Sequence, residues 1–385
     1  MKVQKLLALI PVDLIEFLEA ETEANHQVKK LHADIVFKLL LYSMVEHNKS
    51  SLRVMEAFAR SAKFRHIAHV KHLETRYNSI RDRICSIDAG FFYGVFQSIF
   101  TVYDEYLGQK DSLVKVDSTV VGISSKLVHW SMSSGGSKGD KKHLKYSVAM
   151  KGILPCSIKT YNTSEMVNED KALYGLIEES ELENDSIVVF DRGVQSRDVF
   201  DKLSGKNQLF VGRLPSTKAK SKLIEQLPIE EKPIDATVNI FSDEWCTLSN
   251  RNHKQTTHQF RIIKAVIDTT GEEIVFITNS DQLSSYEVAA LYKRRWEIEV
   301  FFKFIKQHLN FSHLTSRNEN GIRVMMYMTM ILAILLSVYK KLNKISSYKI
   351  AKLKFTLELD NLMTREIVIL CGGDPAKAPH LFSDS

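Results

Sequence analysis

Cysteine is scarce in this chain. Four occur in 385 residues, at Cys85, Cys156, Cys246 and Cys371, far apart and without a C-x2-C pair. That spacing argues against a disulfide framework and a cysteine zinc site, and it suits a reducing cytoplasm. Long apolar runs are lacking as well. The most apolar stretch, VMMYMTMILAILLSVY at 324–339, has sixteen residues, against roughly 20 for a bilayer span; it predicts a buried core helix. The N-terminal MKVQKLLALIPVDLIEFLEAE has only a short apolar run, followed at once by acids, and no small-residue cleavage site. No internal repeat and no low-complexity segment is present. SGGSKGDKKH fails as a nucleotide-binding P-loop because Asp140, not Lys, follows Gly139. It remains a basic loop suited to touching phosphates. His66, His69 and His72 do not stack on one helix face and have no cysteine near them, which excludes a metal site there.

What is present is an ordinary globular composition, 44% hydrophobic and 25% charged, with a formal net charge of +6. The basic residues are concentrated. Residues 51–83 hold eight Lys or Arg against Glu56, Glu74 and Asp82, and 126–151 hold Lys126, Lys138, Lys141, Lys142, Lys145 and Lys151 against Asp140. Two separate basic segments point to an extended polyanion rather than a small anion.

Along the chain, residues 1–108 read as a helical region. LHADIVFKLLLYSMVEH is amphipathic, and Ser50 or Ser51 can cap the next helix, SLRVMEAFARSA. A third helix near ETRYNSIRDRICSI carries Arg76, Tyr77, Asn78, Arg81 and Arg83 on its polar side. This order suits a helix-turn-helix-like module in a major groove; the alternative is a plain basic surface helix. Residues 109–214 read as the first part of an α/β core. SLVKVDSTVV predicts a strand ending at Asp117, LKYSVAM and ILPCSIKTY form a hairpin about Lys151-Gly152, and SIVVFDRG predicts a strand ending at Asp191. Helices at NEDKALYGLIEES and SRDVFDKLSG and the strand QLFVGRL complete a mixed sheet. Residues 215–282 read as a β-rich insertion, opened by Pro215, Pro228 and Pro233 with Lys218, Lys220 and Lys222. Residues 283–312 return to the core, and 313–385 are helical with a loose tail.

LYKRRWEIEVFFKFIKQHL at 291–309 has no Gly or Pro and predicts one continuous helix. At about 100° per residue, Tyr292, Arg295, Glu299 and Lys306 fall within roughly 60° of arc. Leu291, Ile298, Phe301, Phe302, Ile305 and Leu309 line the adjoining inward face, and Trp296 is expected to pack on the core. Taken alone, the polar edge suits either a phosphodiester beside a metal ion or simple i,i+4 pairing of Arg295 with Glu299. Asp117 and Asp191 lie where open sheets present functional groups. With Glu299 they make three carboxylates on separate elements, able to converge on one or two divalent cations. Such oxygen ligands favour Mg²⁺ or Mn²⁺ over zinc.

VDSTVV, VVFDRG and Tyr292-x2-Arg295-x3-Glu299-x6-Lys306 occur in one order, with 74 residues between the aspartates and 108 more to the glutamate. This pattern resembles the bacterial DDE transposases of the insertion-sequence-four family, whose signature is that Tyr-Arg-Glu-Lys spacing. The resemblance covers nearly the whole chain. It implies a ribonuclease-H-like core with a β-rich insertion, flanked by helical regions. It further implies Asp117, Asp191 and Glu299 as catalytic metal ligands for Mg²⁺, with Mn²⁺ as substitute. Tyr292, Arg295 and Lys306 would contact phosphates, Arg192 would touch DNA, and an aromatic residue of the insertion, Trp245, would stack on a displaced base. Glu297, the rival acid, points about 160° from Glu299. The function implied is cut-and-paste transposition, with binding of terminal inverted repeats, cleavage through hairpin ends and strand transfer. The implied partners are double-stranded DNA and a second copy of the chain, in a nucleoid-associated cytoplasmic setting. The alternatives are a ribonuclease-H-like nuclease without strand transfer and a catalytically silent, domesticated DNA-binding protein.

Overall fold

The computed structural model describes the chain except residues 1, 47–50, 109–110, 124–131, 135–140, 163–167, 181, 184, 216–220, 250–253, 312–315, 317 and 380–385. Ser50, Lys126, the loop holding Lys138 and Asp140, Lys218 and Lys220 therefore lie outside the described residues. Seven helices come first: α1 Val3–Leu7, α2 Leu14–Glu21, α3 Ala33–Glu46, α4 Leu52–Ala59, α5 Ala62–Ile67, α6 Tyr77–Ser86 and α7 Ala89–Leu107. Four strands follow, β1 Leu113–Ile123, β2 Met132–Ser134, β3 Lys141–Lys151 and β4 Leu154–Tyr161. Then come α8 Glu169–Glu179, β5 Ile187–Val189, α9 Arg197–Gly205 and β6 Leu209–Leu214. β7 Ser221–Gln226, β8 Val238–Leu248, β9 Phe260–Ile267 and β10 Glu273–Thr278 precede α10 Ser285–Arg294, α11 Trp296–His308, α12 Glu319–Leu342 and α13 Tyr348–Leu370.

The chain divides into two compact units, one of residues 1–109, 123–128 and 303–385, the other of 110–122 and 129–302. In the helical unit, side-chain oxygens start several helices. Ser51 accepts from the Val54 amide at 3.3 Å and Ser61 from the Phe64 amide at 3.1 Å, which satisfies donors the helix itself cannot pair. α7 stops at Gly108, whose φ of 55° closes the last turn in the left-handed region. α12 packs against α7 and α13. Its 24 residues are long and apolar enough to cross a bilayer, but 83% of its most apolar window is buried within the protein, so it serves as the core helix that its apolarity predicts.

The second unit is a mixed α/β structure. Its sheet runs β2-β3-β1-β5-β6-β10-β9-β8-β7, with β4 also on β3. β1, β5 and β6 are parallel neighbours, while β4 on β3 and β6-β10-β9-β8-β7 are antiparallel. An antiparallel β3–β4 hairpin thus stands beside a parallel centre, β1-β5-β6. The hairpin turn between β3 and β4 falls at Lys151-Gly152, where Gly152 has a φ of 56°. Strands from 221–278 join this same sheet through the β6–β10 pair, so the β-rich stretch continues the sheet rather than standing apart. One sheet face packs α8 and α9 through Leu173, Leu176, Val199, Phe200 and Leu203. The other packs α10 through Tyr286, Val288 and Ala289 against Val189, Val211, Ile263 and Phe276. Burying apolar side chains on both faces, each contributing about 1.5–3 kcal/mol, fixes which way the alternate residues of β1 and β5 must point.

Candidate active site

That alternation places the first acid. β1 and β5 pair in parallel with Lys115 opposite Val189. Two residues further along β1 on the face covered by α10 comes Asp117, while Asp191 follows two residues past the end of β5, near enough for its charge to act on Asp117. β5 ends at Val189, whereas β1 runs on to Ile123. Asp117 is thus inside its strand rather than at its end, and it is the early stop of β5 that opens the edge beside it. The Asp117 side chain is only 16% exposed. Burial pushes its carboxyl up to about 7, and the charges of Asp191 and Glu169 add to the rise, while the Ser118 amide and Arg295 oppose it. The Ser118 amide donates to Asp117 Oδ1 at 2.7 Å. Asp191 Oδ1 accepts from the Gly193 amide, also at 2.7 Å.

The predicted single helix 291–309 is two helices. α10 ends at Arg294, Arg295 forms a turn, and α11 begins at Trp296. The Arg295 amide donates to the Tyr292 carbonyl and the Ile298 amide to the Arg295 carbonyl, both three residues back. This short 3₁₀ step is held by side chains tied down to β1 and to the residues just before it. Arg294 grips Asp111 with both terminal nitrogens. Glu297 Oε2 accepts from Lys115 Nζ at 2.7 Å, and Lys115, fully buried, donates also to the Gly152 carbonyl. Between these tethers Arg295 spans two acids, with Nη2 2.5 Å from Glu299 Oε1 and Nη1 3.4 Å from Asp117 Oδ2. Its Nε is buried without a hydrogen-bond partner. The Tyr292 ring lies under the guanidinium at 5.8 Å and packs on Phe276 at 5.3 Å; burial pushes its phenol up.

The structure therefore brings together Asp117, Asp191, Arg295, Glu299 and Tyr292. Glu297 faces Lys115 and Arg294 instead. Arg192 is exposed beside Asp191. Trp296 is 62% exposed, contrary to the expected core packing; on the α11 wheel it lies about 180° from Ile305, which takes the inward side. Trp245 is half-buried on β8, opposite Arg261 of β9. Strands β6, β10 and β9 separate it from β5, a span on the order of 19 Å at the usual strand spacing. Lys306 belongs to the helical unit, half-buried near the end of α11, and burial lowers its amine. In that unit Arg76 and Arg81 are exposed, Arg81 beside Asp82. Arg83 is turned inward and donates to the Leu31 and Ala24 carbonyls at 2.8 and 2.5 Å.

Lys115 and the acidic first turn of α8 were not singled out from the sequence. Lys115 had a signal: it is a lone charge at a core-facing position of a valine-rich strand. Glu169 and Asp170 had none, since acids in a first helical turn are commonplace.

The carboxylate oxygens are of the kind hard divalent cations take. The Arg295 guanidinium between Asp117 and Glu299 shows that this spot holds positive charge. Among the described residues, no three His, Cys, Asp or Glu side chains stand close enough to grip one ion together.

The profile of the transposase DDE domain matches residues 108–336, and the chain belongs to that family. It is 26% identical over 231 residues to a putative transposase, y4zB, of Sinorhizobium fredii, covering 60% of this chain and 62% of the relative. It is 25% identical over 242 residues to a probable transposase for insertion sequence element IS5377 of Geobacillus stearothermophilus, covering 62% and 60%. The chain thus spans about three fifths of the length of these relatives. The piggyBac transposase, solved as a synaptic complex with hairpin DNA, aligns with a TM-score of 0.48 at 10% identity, over 95% of this chain and 82% of that one.

Proposed function

We propose that this chain is an insertion-sequence transposase of the insertion-sequence-four branch, which cuts DNA at the element's ends and joins the freed ends to target DNA. The observation that carries the reading is Asp117 on β1 beside Asp191 in the loop after the neighbouring β5, with Glu299 linked to Asp117 through Arg295. Asp117, Asp191 and Glu299 would hold Mg²⁺, or Mn²⁺ in its place, which when bound supplies positive charge to the attacking and leaving oxygens at phosphorus. Arg295 presents a planar fork matched to a phosphate. A phosphodiester taking that fork would free Asp117 and Glu299, two of the carboxylates that would hold the cation. Tyr292 walls the guanidinium from below, and Lys306 and exposed Arg192 add phosphate contacts. Exposed Trp296, next to Arg295, would offer an apolar face to the strand, and Trp245 would stack on a displaced base. In cleavage, water oxygen bonds to phosphorus as the P–O3′ bond breaks, leaving a 3′-hydroxyl and a 5′-phosphate. In joining, that 3′-hydroxyl attacks a target phosphodiester in the same manner. Two copies on paired ends would complete a transposition event, by way of hairpin ends.

Asp117→Asn, Asp191→Asn and Glu299→Gln each remove a charged ligand. Losing several kcal/mol of transition-state stabilisation lowers cleavage by at least roughly a hundredfold, while gel-shift affinity for DNA bordering the coding sequence is retained. Wild-type nicking by any one of the three purified proteins sinks the assignment. Strand transfer from pre-nicked ends separates a transposase from a nuclease that only cuts.

A further inference from the structure

The loop after β5 carries Asp191 and is gripped from one side by the first turn of α8. Asp170 Oδ1 accepts the backbone amides of Gln195 and Ser196 at 2.6 and 2.7 Å. Asn168 caps α8 by accepting from the Asp170 amide at 2.8 Å, so the carboxylate is set on the helix's own frame. Glu169, in the same turn, lies against the loop at Gly193. A Cβ on Gly193 would stand 2.8 Å from Asp191 Oδ1 and 2.9 Å from Glu169 Cγ. Gly193 therefore lets Glu169 lie against the loop beside the Asp191 carboxylate. Glu169 is held in turn by an ion pair with Lys145 of β3, whose side chain is 4% exposed. Within the loop, the Gly193 amide binds Asp191 Oδ1 and the Gln195 side chain donates to the Arg192 carbonyl at 2.8 Å.

From this geometry we infer that Asp170 is a positioning residue for cleavage. By clamping the Gln195 and Ser196 amides, with Glu169 against Gly193 as a second contact from the same turn, it aims the Asp191 carboxylate. The inference rests on the catalytic reading of Asp191. β5 ends two residues before Asp191, so the strand ladder does not fix this carboxylate. The clamp from α8 supplies that constraint, and a carboxylate accepting two amides does so more strongly than a neutral side chain.

The test uses the full chain, a linear duplex carrying the DNA that borders the coding sequence, and Mg²⁺. Asp170→Ala is expected to lose hydrogen-exchange protection at the Gln195 and Ser196 amides. Single-turnover cleavage should fall by roughly a hundredfold, the scale set by a displacement of about 1 Å, while duplex affinity stays within about twofold. Asp170→Asn keeps a carbonyl acceptor and should recover most of both protection and rate. A merely structural role would lower the melting temperature and leave the rate of the folded protein unchanged. Protection lost with a wild-type rate overturns the inference, as does an Asp170→Asn protein that keeps protection yet cleaves as slowly as Asp170→Ala. Should Asp170→Ala fail to fold, Gly193→Ala loads the same loop from the Glu169 side; a folded Gly193→Ala protein with wild-type cleavage overturns it equally. Asp191→Asn is the control: if it still cuts, the catalytic reading has failed, whereas an inactive Asp191→Asn beside a fully active Asp170→Ala removes only the clamp.

Discussion

Asp117 carries a cost that can be measured. Its carboxyl rises from an ordinary 3.8 to about 7, first because burial strips its water and then because Asp191 and Glu169 lie near. In the unfolded chain it ionises near its ordinary value. Between those two values the folded protein therefore binds a proton that the unfolded chain has released, and folding stability falls as pH rises across that window. The full penalty is present above about pH 7 and amounts to roughly 2–4 kcal/mol. Asp117→Asn cannot ionise and escapes it. In metal-free buffer, urea denaturation should show the variant gaining on the wild type by that amount between pH 4 and pH 8, with little difference at pH 4. A gap that stays flat across this range would show that the carboxyl is not held up by burial. The residue itself was legible because β-branched neighbours and period-two alternation fix its face. Its place inside β1 was not, since that depends on β5 stopping at Val189 while β1 continues.

At the level of elements, the break between α10 and α11 was hidden from the sequence. The segment has no Gly or Pro, and its intrinsic preference is unbroken helix. Tertiary tethers override that preference. Arg294 is drawn to Asp111, two residues before β1, and Glu297 to Lys115 on β1, so the turn at Arg295 is tied down on both sides. The exposed Trp296 follows from the same geometry, because the inward arc of α11 is already filled by Ile298, Phe301 and Ile305. The Lys115–Glu297 pair is asymmetric, and this sets a prediction. Lys115 has no exposed surface, whereas Glu297 is 47% exposed. Glu297→Ala leaves an ammonium buried with only the Gly152 carbonyl, costing about 1.5–3 kcal/mol. Lys115→Met removes the buried charge and leaves a carboxylate that water can reach, costing less. Urea midpoints should rank Glu297→Ala below Lys115→Met; the reverse order would mean that the pair does not pin the break. The hairpin at Lys151-Gly152 and the α8 and α9 helices were legible for the opposite reason, as local turn chemistry and periodicity agree there with the final packing.

For the whole molecule, charge is divided between kinds of work that the sequence alone does not separate. The run 51–83 reads as one basic block, yet its arginines differ. Arg76 stands exposed at the start of α6, and Arg81 is exposed beside Asp82. Arg83 instead satisfies the carbonyls of Leu31 and Ala24, and burial lowers its guanidinium. A helix wheel cannot reveal this, because the acceptors come from a loop more than fifty residues earlier in the chain. If the helical unit grips DNA through phosphate neutralisation, each contacting arginine releases about one counterion. Arg76→Ala and Arg81→Ala should then weaken binding to every duplex alike, and each should reduce the slope of log affinity against log salt by about 1. Arg83→Ala should leave that slope unchanged and destabilise the protein by about 1.5–3 kcal/mol through the two orphaned carbonyls. Binding titrations from 50 to 200 mM salt, paired with urea denaturation of the same three variants, distinguish the roles. A smaller slope for Arg83→Ala with unaltered stability would mean that its guanidinium leaves those carbonyls to meet DNA.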